Sequence, residues 1–187
     1  ADIAAAVAAF RTEVPYLERI VAFGNCDAAS ALALFHTGLP IDRLILANPW
    51  VIETDSEGNQ PTPPSAAAIR ARYWARLKNP RSLIDLFSGK IDMKKLAGGL
   101  ARAAQKEAPT GLAQLIGQAL SASSVPTTLL LADRDTTALA FASAWKGSAF
   151  DAARERSDVQ LQALDSASHS FADTDAKAWL REQIEAA

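Results

Sequence analysis

The single cysteine of this chain stands in a frame suited to a nucleophile. Phe23-Gly24-Asn25-Cys26-Asp27-Ala28-Ala29 reads as Gly-x-Cys-x-Ala between a short apolar run and a helical stretch. A nucleophile elbow holds its central residue in a strained turn, so the residues two before and two after must be tiny for strand and helix to approach. Gly24 and Ala28 meet that demand. The Cys26 sulfur would then project above the sheet at the start of a helix, where amide dipoles favour thiolate. Alone, the string is weak, because a lone Cys is more often a small buried apolar residue.

The order of residues further along strengthens it, since elbow enzymes run nucleophile, acid, base. Ala132-Asp133-Arg134-Asp135 follows a later apolar run, at a strand's carboxyl end where α/β active sites gather. Asp135 is the expected acid and Asp133 the fallback; the bland alternative is a solvated turn. Asp165-Ser166-Ala167-Ser168-His169-Ser170-Phe171 follows the last such run. The chain holds two His. His36 closes a helix just before Gly38, where a protonated imidazole suits the negative helix end. That leaves His169 as the base, against the alternative of an ordinary surface-loop histidine. No metal cluster, Walker loop or dinucleotide fingerprint competes, so no cofactor is expected.

These residues need elements to carry them. Arg19–Phe23, Arg43–Ala47 and Val125–Ala132 are short apolar runs bounded by Pro, Gly or Asn, and read as buried strands. Val159–Leu164 alternates strictly and reads as a strand nearer a sheet edge. Helical patterns cover Ala1–Thr12, Ala28–His36, Ala138–Arg156 and Ala176–Ala187. Strands alternating with helices imply a parallel sheet with helices on both faces. From Ile52 to Ala122 the rhythm breaks, and roughly 70 residues is far more than a usual connection. A polar, Pro-rich opening (Glu53–Pro64) leads into helices carrying Tyr73, Trp74 and Phe87. We expect a helical lid over the sheet, the alternative being two crossover helices with long loops. The chain then divides into a partial α/β core with the elbow (1–51), the insertion (52–122) and a carboxyl-terminal core with the acid and base loops (123–187).

Composition narrows the function classes. With 187 residues, 49% apolar and 21% charged, the chain is an ordinary globular domain with room for a sizeable core. Nineteen Lys and Arg against 21 Asp and Glu leave a net charge of −2. That balance speaks against a nucleic-acid or anionic-membrane partner, since both need a basic excess. One Cys makes no internal disulfide. No apolar run approaches the ~20 residues of a membrane span, and no basic-then-apolar leader opens the chain. A cytoplasmic enzyme or binding domain is expected.

In these residues the chain resembles an α/β-hydrolase, and more narrowly the exosortase A system-associated hydrolases of the first type. Those proteins share a Cys-Asp-x-Ala-Ser-Ala elbow and an Asn-Pro-Trp strand end. Here the matching residues are Cys26-Asp27-Ala28-Ala29-Ser30-Ala31 and Asn48-Pro49-Trp50-Val51. Tyr73 and the Phe87-Ser88-Gly89-Lys90 turn are similar too, and the likeness runs over essentially the whole chain. It implies an acyl-enzyme hydrolase encoded beside exopolysaccharide and protein-sorting genes, with no assigned substrate. Ala132 departs from the pattern, standing where many relatives have Gly.

The resemblance also implies strands before the elbow strand, where here one helix stands. Roughly 60–80 residues are therefore expected ahead of Ala1 at usual element and loop lengths, including the loop that supplies a second oxyanion-hole amide. Such a chain would be the carboxyl-terminal part of a longer hydrolase, and the Arg19–Phe23 edge would be open to self-association.

The expected chemistry follows. His169, oriented by Asp135, draws the proton from Cys26, and the thiolate attacks a small-molecule ester or thioester. The backbone N–H of Asp27 helps hold the oxyanion, and water activated by His169 releases the acid. Trp50, Tyr73, Trp74 and Phe87 would line an acyl pocket, with plain packing the alternative. A thiolate is both a good nucleophile and a good leaving group, so acyl transfer stays open. The rivals are a non-catalytic binding module on the same fold and a redox role through a Cys26 sulfenic acid.

Overall fold

All four apolar runs become strands of one parallel sheet. The computed structural model describes residues 2–52 and 111–187. Helix α1 (Asp2–Glu13) is followed by β1 (Val21–Asn25), α2 (Asp27–Phe35) and β2 (Arg43–Ala47). After residues 53–110 come α3 (Gly111–Ala122), β3 (Thr127–Ala132), α4 (Thr136–Trp145), a 3₁₀ turn (Ser148–Phe150) and α5 (Asp151–Arg154). The chain closes with β4 (Val159–Leu164) and α6 (Thr174–Glu185). The strands lie in the order β1-β2-β3-β4, every neighbouring pair parallel. Tyr73, Trp74, Phe87 and most of the expected insertion fall outside the described residues.

Side-chain alternation along the strands explains the two layers of helices. Leu44, Leu46, Leu129 and Leu131 point to one face, where Ala29, Leu32 and Ala33 of α2, Ile116 and Leu120 of α3, and Phe141 of α4 bury against them. Ile45, Ala47, Leu130 and Ala132 point to the other, against Phe171, Ala176, Trp179 and Leu180. Every residue of β3 is buried, while β4, at the sheet edge, exposes Gln160, Leu161 and Ala163, so its edge position and not its apolar–polar alternation decides what is covered. The alanines let α2 lie close on the sheet: Ala29 and Ala33 are fully buried. Helix α3, which the sequence reading assigned to the insertion, buries Ala113, Ile116 and Leu120 in the core cluster that α2 also joins.

Two expectations need correction. The first strand runs from Val21 to Asn25, two residues later than its apolar run, because Gly24 and Asn25 pair with Leu46 and Ala47 of β2. The ladder, not hydrophobicity, sets that end. The stretch Ala138–Arg156 is not one helix: α4 ends at Trp145, and the chain re-enters through the 3₁₀ turn before α5. His36 does close α2, as its place before Gly38 suggests, and its ring there is fully buried. Its Nδ1 donates to the carbonyls of Leu32 and Ala33 (both 3.0 Å), and its Nε2 lies 2.7 Å from Ser123 Oγ. One proton on Nδ1 satisfies these partners, with the Ser123 hydroxyl donating to Nε2. The ring is a structural link between α2 and the approach to β3.

Candidate active site

The elbow is visible in the backbone. Cys26 adopts φ 58° and ψ −122°, directly between β1 and α2, a conformation that costs a non-glycine residue about 1–3 kcal/mol. Its surroundings hold it there: the Cys26 N–H donates to Ala47 O at 2.9 Å, and its carbonyl accepts from the Ser30 N–H at 3.2 Å. Gly24 shows why the frame needs a glycine. A Cβ there would lie 2.7 Å from the backbone carbon and oxygen of Ala28 and 2.8 Å from the nitrogen of Ala29. Strand and helix approach until only hydrogen fits between them.

Trp50 lies beside this turn. Its N–H donates to the Cys26 carbonyl at 3.4 Å, and its own carbonyl accepts from Ser30 Oγ at 2.7 Å. Half-buried Trp50 is therefore tied to the elbow through its backbone.

The acid turn and the base loop meet at the carboxyl ends of β3 and β4. Asp135 Oδ1 lies 3.0 Å from His169 Nδ1, so the ring donates to the carboxylate. Of the two candidate acids, Asp135 is the one paired with the ring; Asp133 is exposed. The Asp135 side chain is 10% exposed and that of His169 41%, an arrangement with a sheltered carboxylate and an accessible imidazole. The same Oδ1 also accepts from the Thr137 and Ala138 N–H groups at 3.0 Å each, capping α4. Asp135 is thus fixed by a helix terminus before it holds the ring.

The base loop is laced by its own small polar residues. Ser166 Oγ accepts from the Ser168 N–H at 3.0 Å, Ser168 Oγ accepts from the Ala172 N–H at 2.8 Å, and Phe171 N–H donates to Ser168 O at 3.0 Å. Phe171, in left-handed backbone (φ 53°), is buried and stacks on Trp179 of α6 with ring centroids 5.8 Å apart. Ser166 and Ser168 are the loop's internal struts.

Cys26 departs from one expectation. Its thiol is raised above the ordinary value, not lowered: burial acts first, the backbone N–H of Asp27 opposes it, and the carboxylates of Asp27 and Asp135 add to it. The helix terminus was expected to favour thiolate, but α2 begins with its own acid, and Asp27 Oδ1 lies 4.0 Å from the sulfur. That carboxylate is the thiol's hydrogen-bond partner; no Cys26–His169 hydrogen bond occurs among the described residues. The Asp27 N–H, the expected oxyanion donor, acts on the sulfur itself. Catalytic hydrogen bonds are often long in a resting site and tighten only with substrate.

One residue of this rim went unrecognised as a functional element in the sequence. Asn48, beyond β2, is fully buried in left-handed backbone (φ 43°) and reaches both other loops, with Ala132 N–H donating to its Oδ1 at 2.9 Å and its Nδ2 donating to His169 O at 2.8 Å. An Asn at a strand end is a local sign of such a turn, because its short polar side chain tolerates that conformation. Among the described residues, no group of three metal-ligating side chains gathers, and no helix is long and apolar enough to cross a membrane.

Among solved structures, the chain is similar to an esterase of Pyrococcus furiosus, at 14% identity and a TM-score of 0.51, covering 98% of this chain and 58% of that one. The fold is α/β-hydrolase-like. The chain spans little more than half the length of that esterase. A hydrolase of Pseudomonas aeruginosa PA01 (17% identity, TM-score 0.46, covering 97% of this chain and 69% of the other) is also similar. So is a bromoperoxidase of Bacillus anthracis, at 14% identity and a TM-score of 0.43, covering 95% of this chain and 71% of the other. No protein-family model and no curated protein matches the chain. In the α/β-hydrolase-like frame, Cys26 follows β1, Asp135 follows β3 and His169 follows β4, all at one end of the sheet.

Proposed function

We propose that this chain is the working part of a hydrolase that cleaves an ester or thioester through a Cys26–His169–Asp135 triad and an acyl-enzyme on Cys26. The observation that carries the reading is the 3.0 Å bond from His169 Nδ1 to a carboxylate already fixed by α4. That bond leaves Nε2 as the ring's free basic nitrogen. Because the thiol is held protonated at rest, the step needs a base: His169 takes the proton as sulfur attacks the carbonyl carbon. The tetrahedral oxyanion then turns to the Asp27 N–H, and collapse expels the alcohol or thiol with the proton from His169. Water, deprotonated by the same ring, frees the acid. A second acceptor in place of water makes the reaction an acyl transfer.

The likeness of the Cys26–Ala31 and Asn48–Val51 motifs to exosortase A system-associated hydrolases extends the proposal to a role beside exopolysaccharide export. The same proposal includes a lid within 52–122 whose Tyr73, Trp74 and Phe87 join Trp50 around the acyl chain, and self-association along the β1 edge.

A non-catalytic binding module draws its support from a different observation, the thiol directed to Asp27 with its ionisation suppressed. One panel decides between them: p-nitrophenyl esters and acyl-thioesters, with Cys26→Ala, His169→Ala and Asp135→Asn beside the wild type. Asn caps a helix as well as Asp does, so Asp135→Asn keeps α4 while removing the charge behind the ring, and is expected to lower kcat by about 10³–10⁴-fold. Acylated protein should carry its mass increment on Cys26. Equal rates in all four proteins would remove the enzymatic reading.

A further inference from the structure

The end of β2 touches all three loops of the candidate site within two residues. Ala47 O accepts the N–H of Cys26 at 2.9 Å. Asn48, next in the chain, spends its whole side-chain amide on the other two. Oδ1 takes the N–H of Ala132, whose own carbonyl accepts from the N–H of Asp135 at 2.9 Å, and Nδ2 donates to the carbonyl of His169. The amide's orientation is not free: a peptide N–H can only donate and a carbonyl can only accept, so oxygen must face Ala132 and nitrogen His169. Among the described hydrogen bonds, this is the one that reaches the backbone of His169 itself. The links Asp133 N–H to Leu164 O and Arg134 N–H to Ser166 O join the same loops further upstream.

We propose that Asn48 is a positioning residue that sets the spacing between His169 and Asp135, acting through the His169 carbonyl and the start of the acid turn. The proposal rests on the triad reading for its catalytic consequence, though not for its geometry. No other side chain substitutes at this reach: Asp lacks the donor, Ser has one oxygen for two partners, and Gln is a methylene too long. The left-handed backbone narrows the choice further, since Asn accepts φ 43° where most side chains do not. Asn48 and Ala132 are both fully buried, so the Ala132 N–H does not recover a lost bond from water.

The test uses Asn48→Asp and Asn48→Gly. The first keeps an acceptor for Ala132 and sets an oxygen against the His169 carbonyl; the second keeps the backbone conformation and loses both bonds. The chain has two histidines, so imidazole resonances are readily assigned. His36, bonded to Leu32, Ala33 and Ser123, serves as an internal reference. In both variants the His169 ring signals and their pH titration should move while those of His36 stay. On any ester the wild type turns over, kcat should fall about 10–100-fold with KM little changed, as expected for a misplaced base. His169 signals and titration that match the wild type in a folded variant overturn the proposal. If neither variant folds, the wild type decides: an Asn48 side-chain amide exchanging with deuterium as fast as a solvated one refutes the bond. Should no ester be turned over, the triad reading fails alone, and the resonance shift still decides the positioning role.

Discussion

Replacing Gly24 by Ala tests the elbow at its tightest point. The added carbon would sit 2.7 Å from the backbone of Ala28 and 2.8 Å from that of Ala29. Ordinary contact between carbons is ~3.5–4.0 Å, so the first turn of α2 must retreat by about 1 Å. Overpacking of this kind costs about 1–3 kcal/mol, and an obstacle made of backbone, unable to rotate away, puts Gly24→Ala near the top of that range. Alanine's smaller unfolded-state entropy returns about 0.4–1 kcal/mol, leaving a net loss of about 2 kcal/mol. Urea unfolding followed by tryptophan fluorescence should show a lower midpoint with an unchanged slope. Because α2 carries the strained Cys26 at its start, the same retreat should alter the alkylation rate of the chain's one thiol. A variant within about 0.5 kcal/mol of wild type, the ordinary spread of harmless substitutions, and alkylated at the wild-type rate would refute the close-approach account.

Asp27→Asn removes one of the two carboxylates that raise the Cys26 thiol, so its iodoacetamide pH profile should move to lower pH; an unmoved or higher profile contradicts the assigned cause. Gly117→Ala should be worse than Gly24→Ala, because its Cβ would fall 1.9 Å from Ala149 O, and a loss of about 3 kcal/mol is expected in the same urea assay. Asp158 is held below the usual carboxylate range by its hydrogen bonds from Arg156. Its contribution to stability is therefore complete above the unfolded value of about 3.9 and is lost as pH falls through the folded one. Thermal melts from pH 6 down to pH 2 should show a shallower acid decline in Asp158→Asn than in the wild type.

Much of this frame was legible because its signals are local. Runs such as Arg43–Ala47 and Thr127–Ala132 are apolar, short and punctuated by Asn-Pro or Pro, and buried parallel strands look like that wherever they occur. Gly24 and Ala28 declared the elbow because only small residues permit the approach. What escaped was carried by distant partners. The burial of His36 depends on Ser123, 87 residues away. The role of Asn48 depends on Ala132 and His169, 84 and 121 residues away, although an Asn ending a strand was a hint. The thiol was misjudged because a helix start was weighed without burial first of all, and then without the acids near it, Asp27 and Asp135. The Ala138–Arg156 stretch misled by composition: its apolar residues continue past Trp145, but the backbone turns at Gly147, whose N–H donates to Ala144 O at 2.8 Å.

Strands β2 and β3 are neighbours in the sheet although residues 53–110 lie between them in the chain. The sheet requires of that connection only that its two ends come together. Loop closure grows with the logarithm of length, so doubling the segment would cost the fold only about 0.6 kcal/mol. Ala47 and Asn48, on one side of the junction, and Ala132, on the other, stay where they are whatever is spliced in. A lineage can therefore exchange the intervening piece wholesale without disturbing the residues clasped at the strand ends.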